Sequence, residues 1–404
     1  FYGVQTPGDL PEVLGPQQLA DALWDAQINA GLDPSHPQYG SGPTPTLPNY
    51  IIPSGADQAD ESAYDYQDNA ITRANKEGTD WFDEIFGPAP IYSINVSGTG
   101  GSENGQYAMS AGYFRQEGVM MNTDYERFTA RANSLFRVKN WLRIGENLGF
   151  TYTEDIAVPG GIQGPGNPIG NALRIPEIIP VRDVGGNFAG TRASGMNNPS
   201  NPVATLTRAK DNLNKFYRIL GNVFVEFDII EGLTAKSSFN INLSGTIDDR
   251  NFSPLNLEDS EPQANASLTQ TAFSSLNWTW YNTLRYQRTI AQDHNLSVLV
   301  GTEAIEDVFN QFNASRVRFF SEDPTYRVLN AGEDGIQNSG FFNEWSLFSI
   351  FGKLDYDFRG KYILSATIRR DGSSRFAEGN RYGVFPAFSV AWRVSDEPFM
   401  AGVS

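Results

Sequence analysis

The sequence predicts an all-β protein built as an antiparallel transmembrane β-barrel, and three observations carry that reading. Segment after segment alternates apolar and polar residues with period two. The connections between those segments are alternately very short and long. No stretch approaches the ~18 to 20 continuous apolar residues of a membrane helix, although aromatics make up 13% of the chain. Alternation alone suits a soluble sandwich as well as a barrel with a wet interior. Loop parity separates the two. It follows when every strand crosses a slab with tight turns on one side and long loops on the other.

Composition narrows the function classes. With 30 basic against 47 acidic residues the net charge is −17, the wrong sign for binding a phosphate backbone, so nucleic acid is not an expected partner. The absence of cysteine removes disulfides, thiolate metal sites and a cysteine nucleophile. The two histidines, His36 and His294, are far apart, and no cofactor or metal is implied. The chain opens "FYGVQTPGDL" without an initiator Met or a signal peptide and closes "DEPFMAGVS", which reads as an internal portion of a longer polypeptide.

Taken in order, residues 1–6 read as the end of a strand, residues 7–90 as a long extracellular loop, and residues 91–404 as barrel strands and loops. The 7–90 segment is rich in Pro, Gly, Asn and Asp. Within it "PQQLADALWDAQINAG" predicts a short helix with Leu19, Leu23, Trp24 and Ile28 as its apolar stripe and Gly31 as its stop. In "YRILGNVFVEFDI", Tyr217, Ile219, Val223, Val225 and Phe227 oppose Arg218, Asn222, Glu226 and Asp228. "LTAKSSFNINL" sets Leu233, Ala235, Phe239, Ile241 and Leu243 against Lys236, Ser238, Asn240 and Asn242. "LNWTWYNTLRYQR", "SLFSIFGKLDYDF" and "YILSATIRR" behave alike.

Short connections are expected at 99–105, 139–140, 231–232, 290–293 and 359–360, and long ones at 117–124, 156–215, 246–270, 321–343 and 371–382. Eleven strands plus the end at "FYGVQ" can be counted. An open sheet of that size would expose unpaired edges to hydrocarbon, and the largest transporters of this architecture close at about 22 strands around a plug.

The segment "YILSATIRRDGSSRFAEGNRYGVFPAFSVAWRVSDEPFM" resembles the SusC/RagA family of TonB-dependent outer-membrane transporters of Bacteroidota. So do "FYGVQTP", "PTLPNYIIP", "NPIGNALRIPEIIPVRDVGGNFAG" and the stretch from "TDWFDEIFGPAPIYSINVSGTGG" to "FTYTE". The resemblance spans nearly the whole chain, without the family's TonB box, plug domain or C-terminal half of the barrel. It implies an active importer in the bacterial outer membrane, working with a SusD-like surface lipoprotein as lid and with TonB as energy source. The lipid bilayer and its lipopolysaccharide would surround it. The implied cargo is an oligosaccharide, with a peptide as the alternative. A siderophore or cobalamin receptor, or an adhesive or structural outer-membrane protein, are the rival readings.

No catalytic motif is present: no H-E-x-x-H, Walker loop or G-x-S-x-G elbow. "SGTGGSENG" misses the spacing of a phosphate loop and reads as a periplasmic turn. Asp57, Asp60, Glu61, Asp65 and Asp68 read as a solvated acidic loop, with a cation site as the alternative, although the calcium-loop ligand order is missing. Candidate substrate contacts are the loop aromatics Trp24, Tyr39, Tyr50, Trp81 and Phe82 and the amides Asn197, Asn198 and Asn201, each balanced against simple loop packing.

Trp278, Trp280 and Trp392 fall on the lipid side and suit lipid contact or an interfacial girdle. In the signature segment, Arg369 should face the lumen and Arg370 the opposite side near the outer rim. Asp371-Gly372 should open the turn. Arg370, Asp371 and Arg375 could form a charge-paired cluster that fixes the loop. The functional alternative has Arg369 and Arg375 touching substrate or plug.

Overall fold

A computed structural model describes residues 1–51, 58–66, 68–161, 167–255, 265–400 and 402. Twelve strands form one antiparallel sheet, the number expected from the alternation. They are β1 (Tyr2–Gln5), β2 (Ala89–Ser102), β3 (Gly105–Glu117), β4 (Asp124–Lys139), β5 (Leu142–Ile156) and β6 (Asn214–Ile230). The sheet continues with β7 (Leu233–Ser253), β8 (Ser267–Ile290), β9 (His294–Phe319), β10 (Gly332–Phe358), β11 (Tyr362–Ser373) and β12 (Tyr382–Trp392). Every strand pairs only with its neighbours in this order, and β1 and β12 are the two edges.

Directly paired residues share a face, so the register carries the alternation across strands. Phe227, Ala235, Leu284, Val300, Gly352, Ile368 and Pro386 make one row from β6 to β12. The adjacent row, on the other face, is Glu226, Lys236, Thr283, Gly301, Phe351, Arg369 and Phe385. The apolar face is open: Phe388 is 77% and Val390 80% exposed. So extended an apolar surface does not belong in water. Its height also fits a bilayer. On β5 the apolar face runs from Leu142 by way of Ile144, Leu148 and Phe150 to Tyr152, broken by Glu146, and Glu154 follows. Ten residue steps of tilted strand rise roughly 25 Å, the height of an outer-membrane apolar band.

One end of the wall is closed by tight turns. The glycines of "SGTGGSENG" stay in the β2–β3 ladder, and only Glu103 and Asn104 turn, so the expected 99–105 turn is much shorter than its glycine content suggests. Gly232 takes φ +81° in the β6–β7 turn, where a Cβ would meet the Gln287 carbonyl at 2.3 Å. Turns also clip one another: Arg359 reaches Asp293 at 2.8 Å.

At the other end the strands run further than the alternation indicates. β7 continues to Ser253, β8 starts at Ser267 and β10 at Gly332, inside segments expected to be loop. Above the apolar band both faces are wet, so period two disappears while the ladder goes on. Asp371 and Gly372 likewise stay in the β11 ladder, opposite Gly383 and Tyr382, and do not open the turn.

The long connections at this end fold into a cap with its own core. Trp24, Trp81, Phe82 and Ile85 come from residues 6–88, Met120 from the β3–β4 loop, and Ile175, Ile178, Ile179, Met196 and Leu206 from the β5–β6 connection. Among the described residues four helices frame it: α1 (Pro16–Asn29), α2 (Trp81–Ile85), α3 (Pro168–Ala172) and α4 (Pro202–Ala209). In α1 the buried face is Pro16, Ala20 and Trp24, while Ile28 is exposed, so the stripe read from sequence is one turn too long. Gly31 follows the Ala30 cap at φ +73° and stops the helix.

The two faces separate by substitution. Phe388→Arg, placing a charge on the apolar face, is expected to cost about 2–4 kcal/mol or to abolish assembly, whereas Ser389→Arg on the polar face is tolerated. Thermal unfolding of the full-length protein in detergent reads both. Equal effects would show that the faces are misassigned.

Candidate functional site

The cap and the polar face below it make the candidate site. Three loops are sewn together by main chain: Asn75 and Thr79 donate their N–H groups to the Ile178 and Glu177 carbonyls at 2.8 Å, Val184 N–H to the Ile71 carbonyl at 3.0 Å, and Met121 N–H of the β3–β4 loop to the Ile85 carbonyl at 2.9 Å. Tyr64 Oη adds a hydrogen bond to Asp183 at 2.7 Å and accepts from the Asn187 amide at 2.6 Å. Burial lowers the His36 pKa, against a smaller rise from the Gly195 carbonyl. Its Nδ1 accepts from the Gln38 N–H at 3.2 Å and its Nε2 meets Gly195 O at 3.1 Å. Gly195 is at φ +86°, and a Cβ there would lie 2.5 Å from the imidazole.

Most sequence-selected loop residues are structural. Trp24, Tyr39, Trp81 and Phe82 are 1–2% exposed inside the cap core, so they offer no face to a ligand in this conformation. Trp24 donates its Nε1–H to Gly42 O at 2.9 Å. Burial pushes the Tyr39 phenol up to about 12. Tyr50 is half-buried and donates to Glu61 at 2.9 Å. Asn201 is a buried bracket: it caps α4 by accepting from Ala204 N–H at 3.1 Å and donates to the Val181 and Ala189 carbonyls at 3.1 and 2.9 Å. Asn197 and Asn198 are exposed on the cap surface.

In the acidic stretch Glu61 is held by Arg73 at 2.6 Å, Asp60 caps a short 3-10 turn and Asp65 accepts from Asp68 N–H. Asp57 lies outside the described residues. Among the described residues no group of three or more acidic or His side chains could hold a metal ion.

The polar face carries what the sequence reading missed. Under the cap, a cleft of about 540 Å³ is lined by Asp155, Arg208, Asn212, Asn214 and Asp249, with burial raising the pKa of both aspartates. Lower down, register aligns Asn133, Asn147, Asn222 and Asn240 side by side on four consecutive strands. Asn222 Nδ2 donates to Asn240 Oδ1 at 2.6 Å, and Asn147 Nδ2 to Asn222 Oδ1 at 3.3 Å. Asn242 and Asn277 extend this into a second row and share a recess of about 410 Å³ with Arg131. These residues are dispersed along the chain, and only the strand register could have shown them together. On the apolar face Glu146 was also missed. It lies between Ser134 and Val223, and its Oε2 is buried without a partner among the described residues.

Charges on the polar face are mostly consumed within the wall. Arg143 binds Glu226 and Asp228, each at 2.6 Å, and Lys353 binds Asp355 at 2.9 Å. Arg369 is a hub: it holds Glu303, Asp371 at 2.5 Å and the fully buried Ser349 hydroxyl at 2.7 Å. The Arg369/Arg370 division read from alternation is therefore the one found. The charge cluster is different, because Arg370 and Asp371 point to opposite faces and Asp371 pairs with Arg369. Arg375 instead lies over Trp345 at 5.0 Å. Trp278, Trp280 and Trp392 are on the apolar face. Trp278 is level with Glu306, and Trp392 stacks on Tyr362 near the tight turns.

No family model matches the chain. Among curated proteins it is 30% identical over 373 residues to TonB-dependent receptor P26 of Formosa agariphila, a match covering 86% of this chain and 36% of that protein. It is 26% identical over 351 residues to TonB-dependent receptor SusC of Bacteroides thetaiotaomicron, covering 81% of this chain and 33% of the relative. The chain belongs to the SusC-type TonB-dependent receptors. It spans about a third of the length of these curated relatives. A solved structure of the RagAB peptide transporter shares the fold, with TM-score 0.75 and 21% identity over 98% of this chain and 44% of that one. As in other members of the family, the apolar face belongs in the bacterial outer membrane, with the tight turns periplasmic and the cap extracellular.

Two outcomes follow from this geometry. Arg369→Gln strands Glu303 and Asp371 beside each other and is expected to lower barrel stability by about 2 kcal/mol. Adding Glu303→Gln and Asp371→Asn should recover most of the loss in thermal unfolding. For His36, a folded pKa below the unfolded value of about 6.5 stabilises the cap above that pH, and the stabilisation is lost as pH falls through the folded value. Gln38 amide exchange, corrected for its intrinsic pH dependence, should accelerate as pH falls below about 6.5, and His36→Gln should flatten the response.

Proposed function

We propose that this chain forms wall and cap of a TonB-dependent importer of neutral oligosaccharides, working with a SusD-like lipoprotein lid. The observation that carries the cargo class is the lumen chemistry. Ion pairs within the wall consume most of the lumenal charge, whereas six asparagines present amide donors and acceptors in two adjoining rows. Carboxamides match sugar hydroxyls as donor and acceptor without demanding a charge. The polar cleft beneath the cap lies at the mouth of the same path, where cargo enters from outside. TonB would supply the work through a part of the receptor other than this wall. The relatives' name and the shared receptor architecture support that energy source.

The test uses the full-length receptor in its native strain. Asn222→Ala with Asn240→Ala should leave assembly intact and lower uptake of a fluorescent neutral oligosaccharide about tenfold, equivalent to about 1.4 kcal/mol of lost hydrogen bonding. A deletion strain that loses peptide uptake while importing oligosaccharides normally would sink the cargo assignment.

A further inference from the structure

We propose that Arg370 binds the phosphate of an outer-leaflet membrane lipid whose acyl chains lie in a trough on the outside of the wall. The trough holds about 830 Å³ and follows two neighbouring rows of the apolar face. One row is Ser237, Asn282, Thr302, Ile350, Arg370 and Val384. The other is the apolar row through Ala235, Leu284, Val300, Gly352 and Ile368, one step nearer the periplasmic end of β11. Small residues, Ala235 and Gly352 above all, make the depression. Among the described residues no side chain fills the space above Gly352, where a Cβ would meet nothing closer than 3.7 Å.

Arg370 is out of place by every local criterion except one. Its guanidinium lies 4.2 Å from the centre of the Tyr382 ring and has no ion pair or hydrogen bond among the described residues. Arg369, one residue before it, has three polar partners on the opposite face. Around Arg370 the register places Phe348, Ile350, Ile368 and Val384, none of which can balance its charge. A bare cation on a lipid face costs about 2–4 kcal/mol at mid-membrane and progressively less towards the interface.

Eight residues of tilted strand above Tyr362, Arg370 reaches roughly 20 Å, close to the extracellular interface. Anionic headgroups lie at that level. Arginine's planar fork suits a phosphate, and the aromatic face beneath it fixes the guanidinium without consuming its donors. On the same row the Thr302 hydroxyl and the Asn282 amide have no side-chain hydrogen bond among the described residues. They are free to meet further headgroup oxygens. Polar groups on the extracellular side and an apolar trough on the membrane side match the two ends of one lipid.

The experiment is native mass spectrometry of the full-length receptor in detergent with phosphatidylglycerol or phosphatidylcholine of identical chains. Wild type should retain phosphatidylglycerol about fivefold better. Arg370→Gln should bring the ratio close to one, Arg370→Lys should keep most of it, and Arg375→Gln, in the exposed loop, should leave it unchanged. A wild-type ratio near one, or a preference that survives Arg370→Gln, overturns the proposal and points to a carboxylate from another strand as the counter-charge. The wild-type comparison and Arg370→Lys remain decisive if Arg370→Gln fails to assemble.

Discussion

Hydrocarbon offers no hydrogen bonds, so every main-chain N–H and C=O that crosses it must find a partner within the protein. The sheet is organised around that constraint. Strands pair with their sequence neighbours because tight periplasmic turns deliver each one directly into the ladder of the last. Turn positions with positive φ, such as Gly232 and Gly360, allow the reversal within two or three residues. The same constraint makes the edges of β1 and β12 untenable in a bilayer, so further strands must complete the ring.

Once the ladder is fixed, side chains have only two destinations, and each has its own electrostatic rule. On the lumen side water is close and charge is permitted, but the wall uses its own carboxylates to pin its own arginines. Arg143 and Arg369 each bridge two acidic residues: Arg143 ties β5 to its ladder neighbour β6, and Arg369 holds Asp371 on its own strand and reaches across β10 to Glu303 on β9. Such pairs add little net stability in a wet environment. Under the proposed function their effect would be on selectivity. A lumen whose charges are mostly occupied by one another leaves the asparagine rows exposed, and under the proposed function these amides are what cargo would meet.

How much could be read from sequence follows from the same physics. Within the bilayer one face is lipid and the other water, so period two is sharp, and the strand count, the tight turns and the Arg369/Arg370 split were all legible. Above the bilayer both faces are wet, and residues 246–253, 267–270 and 332–343 read as loop although they continue the ladder. The cap was illegible for a different reason. Trp24 falls on the periodic stripe of α1, but Tyr39 comes from an irregular loop and Trp81 and Phe82 from the five-residue α2, too short for periodicity to distinguish a core aromatic from an exposed one. Their core partners, Ile175, Ile178 and Leu206, lie in another loop altogether. The asparagine rows need the register, which composition does not contain.

The cap's construction limits how the mouth can open. Its core draws on three loops, so melting any one of them would expose large side chains such as Trp24, Trp81 or Ile178. Each contributes about 1.5–3 kcal/mol through burial. Main-chain hydrogen bonds between residues 71–79 and 177–184 would break in the same event. A loop that swings aside alone is therefore the expensive route. Exposed surface positions such as Asn197 and Asn198 can rearrange without that cost, but they move too little chain to gate a pore. A cap of this kind suits a fixed rim, and under the proposed function the moving part would be a separate body seated on it. This is the mechanical role that the proposed lipoprotein lid would fill.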